Sequence, residues 1–261
     1  IDKSYFNKES AAAVLAQVHQ VMGNWADASK YAKIAYGNNV ATALDASAYR
    51  NGFNDMNANK EWLLASPQSE DQSAYYWTAP FAFIDHTTTS YYATYINADF
   101  VSKFSNTDVR NLFVASSTIT NPADFRRYTT RKFKFNFGSD VPLIRTAEMI
   151  LIDAEALART PGKEAEAHDL LYALQKNRDA NAVKSTNTGA ALIDEILLER
   201  RKELYAENGV EWFDAKRLRK GITRTGNHRI FKNLSADDKR FFLKVPQREI
   251  DANESIDDTV N

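Results

Sequence analysis

Glu195, Glu199 and Glu203 recur every four residues, a spacing that puts them on one helix face with neighbouring carboxyl groups roughly 5–6 Å apart. Two carboxylates at about that separation are what a retaining glycosidase uses as acid and nucleophile. Arg200, Arg201 and Lys202 are interleaved with them, and Arg217 follows on the next predicted element. Ion pairing that locks two helices together accounts for the same residues. The four histidines, His19, His86, His168 and His228, fall in no H-E-x-x-H or comparable ligand spacing. No zinc site, G-x-S-x-G elbow, Walker motif or dinucleotide glycine pattern follows from the sequence, so neither an enzyme nor a cofactor is expected. His19 occupies a position suited to a packing side chain.

The remaining chemistry is recognition. From Tyr75 to Phe104 ten of thirty residues are aromatic: Tyr75, Tyr76, Trp77, Phe81, Phe83, Tyr91, Tyr92, Tyr95, Phe100 and Phe104. Since aromatics make up 12% of the whole chain, this is nearly a threefold enrichment. Pro80 and the run Thr87-Thr88-Thr89-Ser90 break the stretch, so it does not form one regular element. Tyr and Trp join a flat apolar face to a polar tip, which suits the C–H faces and hydroxyl rims of sugars, and peptides equally. Phe100, Val101 and Phe104 have helical spacing and are expected to pack inward. The others are divided between core and ligand surface.

Such a platform needs rigid elements beneath it. Leu15-Ala16-x-x-His19-x-x-x-Gly23-x-Trp25-x-x-Ala28-x-x-x-Ala32-x-x-Ala35 follows a tetratricopeptide pattern, in which small residues let two helices approach closely. Leu151 to Leu174 fits the same frame more loosely. Leu143, Ala147, Ile150, Ala154 and Leu157 share a helix face, and Pro142 suits the first turn of that helix. Pro161-Gly162 breaks the chain before a second helix over 165–178, giving an αα-hairpin. A third helix covers 189–207, and Trp212 to Arg217 form a short amphipathic piece. Glu61 to Leu64 reads as a strand, as do Phe133, Phe135 and Phe137, which alternate up to Gly138, and Phe241 to Val245, closed by Pro246.

Glu148 and Glu155 lie seven apart in a helix expected to pack on both sides. Buried carboxylates need partners, and Arg145, Arg178 and Arg201 are the candidates. The 33 basic and 34 acidic residues balance, which gives no electrostatic footprint for nucleic acid. The short basic clusters, Arg126-Arg127 among them, are expected to be solvated or ion-paired. No run of eighteen apolar residues occurs. The chain lacks cysteine and begins at Ile1 without methionine, as expected of a piece of a longer protein.

Four ordered blocks carry a family resemblance. They are Leu143-x-Arg145-x-Ala147-Glu148-Met149-x-Leu151-Ile152-x-Ala154-Glu155-Ala156 followed by Asn177-Arg178; Glu199-Arg200-Arg201-x-Glu203-Leu204; Trp212-Phe213-Asp214-x-Lys216-Arg217; and Pro246-x-x-Glu249-Ile250-x-x-Asn253. Together they resemble the C-terminal half of the SusD/RagB family, the nutrient-binding lipoproteins of Gram-negative outer membranes. Glu211, Ala215 and Glu254 depart from the family pattern at positions of local packing.

The resemblance implies a mainly α fold: tetratricopeptide-like helical pairs, a loop-rich insertion and a few short strands in a SusD-like α-α superhelix. It divides one domain into a first helix pair over 1–39, a loop-rich aromatic segment over 40–141 and closing helical pairs with a strand over 142–261. It implies a binding protein at the cell surface, held by a lipid anchor on an absent N-terminal part, that captures a glycan and passes it to a SusC-like TonB-dependent transporter. By position, Tyr75 and Trp77 become stacking platforms, with Asp85, Tyr91 and Tyr92 as hydrogen-bonding neighbours. A peptide cargo, and a tetratricopeptide-type scaffold for protein partners, stand as alternatives. If the chain is a half, the helices over 8–22 and 143–159 should expose apolar residues.

Overall fold

The computed structural model of the chain describes residues 2–50, 53–71, 80–87, 91–257 and 259. Helices α1 (Lys8–Met22) and α2 (Trp25–Tyr36) form the first pair. Asn7 starts α1 with a reciprocal cap: its side chain accepts from Ser10 N–H, and Ser10 Oγ accepts from Asn7 N–H, both at 2.8 Å. Ala12, Ala13, Ala16, Ala28, Ala32 and Ala35 are buried between the helices, so the small residues of the repeat pattern do bring the two backbones together.

Short helices α3 (Val40–Ala43) and α4 (Ala46–Arg50) lead to strand β1 (Trp62–Ser66). After α5 (Ala98–Val101) come β2 (Phe113–Ala115), β3 (Tyr128–Thr130) and β4 (Val141–Arg145). Two antiparallel two-stranded sheets result, β1 with β4 and β2 with β3. Helices α6 (Thr146–Ala158), α7 (Glu164–Arg178) and α8 (Gly189–Leu204) complete the scaffold, with α6 packed against α2, α7 and α8.

Every residue of α6 is buried, as expected of a helix with apolar residues on all sides. Its three carboxylates each have partners. Glu148 pairs with Arg200 at 3.0 Å and accepts from Gln17. Asp153 accepts from Ser29 and Tyr36. Glu155 accepts from Gln20 and from Arg159, one turn on. The partners expected from the sequence were different: Arg145 and Arg178 instead meet Glu61 and Glu203, and Arg201 lies over the Phe100 ring.

Helix spacing from Pro142 onward does not start a helix there. Positions 141–145 are drawn out as β4 by pairing with β1, Pro142 facing Ala65, and the helix begins at Thr146, whose N–H donates to Glu61 O. Leu143 is consequently exposed, whereas the rest of the expected apolar face is inside. Of the two helices expected to show apolar surface, only α1 does so, through Leu15, Val18, Val21 and Met22.

Phe133, Phe135 and Phe137 alternate in burial with Lys134 and Asn136 as expected, but the segment is extended without a ladder, and the neighbouring strand is β3. Phe241 to Val245 form no strand: Lys239–Phe241 is a 3₁₀ turn, and Phe242 and Leu243 face solvent. Local β propensity needs a partner edge, and none pairs here among the described residues.

Two compact units emerge, Ile1–Val210 with Thr225–Arg229, and Glu211–Arg224 with Ile230–Asn261. The first holds the helical pairs and both sheets. The second includes most of α9 (Val210–Arg217) and all of α10 (Gln247–Ala252). Within it Trp212 packs on Phe241 at 4.8 Å, Ile222 bridges to Leu234, and Arg217 pairs with Asp214.

Candidate ligand-binding site

The carboxylate stripe is structural. Glu203 is fully buried and lies 2.9 Å from Arg178, 3.0 Å from Arg145 and 3.1 Å from Arg110. Burial alone would raise its carboxyl pKa, but the three guanidiniums overcome this and hold it well below the usual glutamate value. Glu199 makes a 2.6 Å ionic contact with Arg110, and Glu195 accepts from Asn187 and Gln175. Glu199 and Glu203 are both buried against arginines rather than presented at the surface. Among the described residues no group of three or more His, Asp or Glu side chains is placed to hold a metal ion.

The network also fixes the strand on which the aromatic segment rests. Lys132 Nζ, buried among Tyr49, Phe53, Phe133 and Tyr205, donates to Glu203 O and Tyr205 O and meets Glu207 at 2.5 Å. Burial pushes this ammonium down to about 8, against the pull of Glu207. Tyr205 Oη lies 2.8 Å from Thr130 Oγ1. Thr130 in turn pairs with Phe113 and bridges to Asp85, while Ile96 bridges to Tyr128. Both ends of the 85–96 loop are therefore pinned to β3.

Inside that loop Asp85 is completely buried. One carboxylate oxygen accepts from Phe135 N–H at 2.7 Å and the other from Thr87 N–H and Oγ1 at 2.7 and 2.6 Å. Its carboxylate thus ties the start of the loop to the Phe135 backbone and to Thr87. Phe81 and Ile84 also point inward, Phe81 stacking on Phe133 at 4.7 Å.

Outward, the same loop carries a ridge of rings. Phe83 and Tyr91 stack at 5.0 Å, nearly parallel, and are 36% and 45% exposed. Tyr92 is 40% exposed and packs on His86 at 5.2 Å, and His86 lies 4.9 Å from Tyr95. Tyr95 meets Phe125 edge-on at 5.6 Å. The backbone locks this arrangement: Tyr91 N–H donates to Ala82 O, and the N–H groups of Ala93 and Thr94 share Phe83 O. His86 Nε2 lies 2.8 Å from Thr94 O and so carries a proton that it donates. Tyr92 sits at φ 48, a conformation that costs a bulky residue roughly 1–2 kcal/mol. That strain turns its ring out beside His86.

Tyr91 and Tyr92 are both exposed, Tyr91 against Phe83 and Tyr92 against His86. Tyr75 and Trp77 lie outside the described residues. Phe83, His86, Tyr95 and Phe125 join the ridge without having been singled out. Phe83 and Tyr95 were visible as part of the aromatic enrichment, whereas Phe125 carried no signal beyond being a lone ring before two arginines.

A scaffold of buried helical pairs presenting exposed rings from a pinned loop defines a helical-repeat platform. The sequence pattern of the SusD family matches residues 27–259, and the chain belongs to that family. Solved structures agree. A SusD-like carbohydrate binding protein from Bacteroides vulgatus superposes with a TM-score of 0.84 at 23% identity, over 98% of this chain and 60% of its own. A SusD superfamily protein from Bacteroides thetaiotaomicron gives 0.81 at 25% identity, over 97% and 60%. A putative sugar binding protein from Bacteroides vulgatus gives 0.79 at 21%, over 97% and 59%. The chain spans about three fifths of the length of these relatives. No curated protein matches it. Among the described residues no helix is long and apolar enough to cross a membrane.

Proposed function

We propose that this chain is part of a surface nutrient-binding protein that captures a glycan and hands it to a partner TonB-dependent transporter in the outer membrane, anchored there by lipid outside the present sequence. The observation that carries the proposal is the exposed ridge Phe83, Tyr91, Tyr92, His86 and Tyr95, set on a loop whose buried side is fixed by Asp85. Flat rings of this kind stack on the C–H faces of pyranoses, and tyrosine hydroxyls reach the equatorial hydroxyls at the rim. The paired glutamates are occupied by arginines, which favours binding without chemistry on the cargo. Similarity to a carbohydrate-binding and a putative sugar-binding structure supports the same reading.

Tyr75 and Trp77 belong to this proposal as further stacking platforms, on sequence position alone. Arrays of glycans and of oligopeptides, probed with the chain and with its Tyr91→Ala, Tyr92→Ala and Trp77→Ala variants, test it. Glycan binding that the variants lose supports the reading. Binding confined to peptides makes the cargo peptide, and glycan binding untouched by all three substitutions places the site elsewhere.

A further inference from the structure

The ridge does not end in neutral rings. At Phe125 two guanidiniums approach the same aromatic, Arg126 at 5.6 Å and Arg229 at 5.5 Å from the ring centre. Their electrostatic situations differ. Arg126 is answered by Asp124, with Nη2 to Oδ2 at 2.8 Å and Nε to Oδ1 at 3.1 Å. Arg229 is exposed and, among the described residues, has the ring as its contact and no carboxylate partner. Asp99, on the neighbouring loop, makes no ion pair with it. The Phe125 end of the ridge therefore carries one positive charge that no carboxylate among the described residues neutralises.

Arg229 is also placed by construction. The five residues Thr225–Arg229 are the part of the C-terminal chain that belongs to the first unit. Asn227, almost fully buried, fastens them on both sides: its Oδ1 accepts from Ala98 N–H and its Nδ2 donates to Asp124 O, each at 2.7 Å. Asn97 Nδ2 donates to Thr225 O at 2.8 Å. Gly226, at φ 72 in the left-handed region, lets this loop close against Asn97 and Asp99, where a Cβ would come within 2.7 Å of Asn97 Oδ1. Asp124, the residue before Phe125, is thus tied by its carbonyl to the same loop that delivers Arg229. A guanidinium stacked on an aromatic face keeps its N–H edge open, and that planar fork matches a carboxylate.

We infer that the Phe125 end of the ridge is an anion-accepting subsite, in which Arg229 takes the carboxylate of an acidic sugar while the ridge stacks the sugar rings. This rests on the ridge being the glycan site. It makes the cargo a uronic-acid-containing glycan and Arg229 the residue that sets the preference. A sulfate ester presents similar chemistry, and the test separates the two.

Oligogalacturonate, oligomannuronate and oligoglucuronate are titrated against the chain by calorimetry, each beside its fully methyl-esterified form and a sulfated neutral galactan oligosaccharide. The acid form of at least one is expected to bind about tenfold more tightly than its ester, because a hydrogen bond to a charged group is lost on esterification. Arg229→Gln should abolish that ratio while leaving affinity for the ester unchanged, and raised salt should weaken only the acid. Arg229 is exposed, so an unaltered melting curve for the variant confirms the fold. If the sulfated oligosaccharide outcompetes every uronate, the anion is sulfate and the uronate assignment is overturned. Equal binding of acid and ester, or a preference that survives Arg229→Gln, overturns the subsite. Neutral-glycan binding that Tyr91→Ala and Tyr92→Ala abolish, with no effect of Arg229→Gln, leaves the ridge standing and removes only the anionic subsite. Silence toward all these glycans overturns both.

Discussion

Glu203 on α8 and Arg178 at the end of α7 meet at 2.9 Å with neither side chain reached by solvent. Arg145, from β4, and Arg110 close on the same carboxylate, so one side chain joins two helices, a strand and a loop. Removing one partner from such a cluster leaves buried charges uncompensated, which costs about 3–5 kcal/mol. Glu203→Gln should destabilise the protein by that amount in denaturant unfolding. Glu195→Gln, on the half-buried part of the same stripe, should cost about 1 kcal/mol. Similar losses for the two variants would show that the stripe is not centred on Glu203.

The same network sets the response to pH, with opposite signs at its two ends. Burial works to raise the carboxyls of Glu203 and Glu207, but Arg178 and Arg145 for the first, and Arg145 and Lys132 for the second, hold both below the ordinary glutamate value of 4.5. The unfolded chain then takes up protons first, so this stabilisation is complete above about pH 4.5 and is lost as pH falls toward the folded values. Unfolding free energy measured from pH 7 to pH 3 should fall steeply over the acid end, and Glu203→Gln should flatten that fall.

Lys132 acts in the other direction. Its folded value of about 8 lies below the unfolded 10.5, so the buried charge opposes folding at neutral pH and the opposition is relieved between about pH 8 and 10.5. The difference in unfolding free energy between wild type and Lys132→Met should move in favour of wild type across that window, by roughly 3 kcal/mol at the limit. A flat or reversed difference would mean that Glu207 compensates the ammonium fully.

What could be read in the sequence divides along local and non-local lines. Helices α1, α2, α7 and α8 announce themselves because their apolar spacing lies within each segment. Strand β4 does not, since its partner β1 lies some eighty positions earlier and pairing overrides the helical spacing that runs through Leu143 and Ala147. Glu148 and Glu155 visibly needed cations, but Arg200 and Arg159 could be chosen over Arg145 and Arg178 only once the packing of α6 was known. Aromatic density pointed to the loop that carries Tyr91 and Tyr92. It could not distinguish the buried Phe81 from the exposed Phe83 two residues on, nor bring Arg229 across more than a hundred positions to Phe125.

Helix α1 turns Val21 and Met22 to solvent beside Val18 and Leu15, with exposures of 63% and 64% for the first two. A contiguous apolar stripe of this kind attracts apolar surface. The isolated chain should bind a hydrophobic dye and self-associate with rising concentration. Val18→Ser combined with Val21→Ser should reduce both without lowering the melting temperature, because neither side chain is buried. Scattering that shows a dye-silent monomer at all concentrations would contradict this.

Gly226 and Gly37 share a left-handed backbone, φ 72 for each, but not their surroundings. A Cβ at Gly37 would meet nothing within 4 Å, whereas one at Gly226 would meet Asn97 Oδ1 at 2.7 Å and Asp99 Cγ at 2.9 Å. Asn97 has little freedom to retreat, since its Oδ1 accepts from Asp99 N–H and its Nδ2 holds Thr225 O. Gly37→Ala should therefore lose only the backbone preference, about 1–2 kcal/mol. Gly226→Ala should lose more in the same unfolding measurement, because the 225–229 loop must shift off Asn97. That shift should carry Arg229 away from Phe125 and reduce binding of acidic sugars while binding of their neutral esters persists. Equal destabilisation by the two substitutions, with acid binding intact, would mean that the loop yields without moving Arg229.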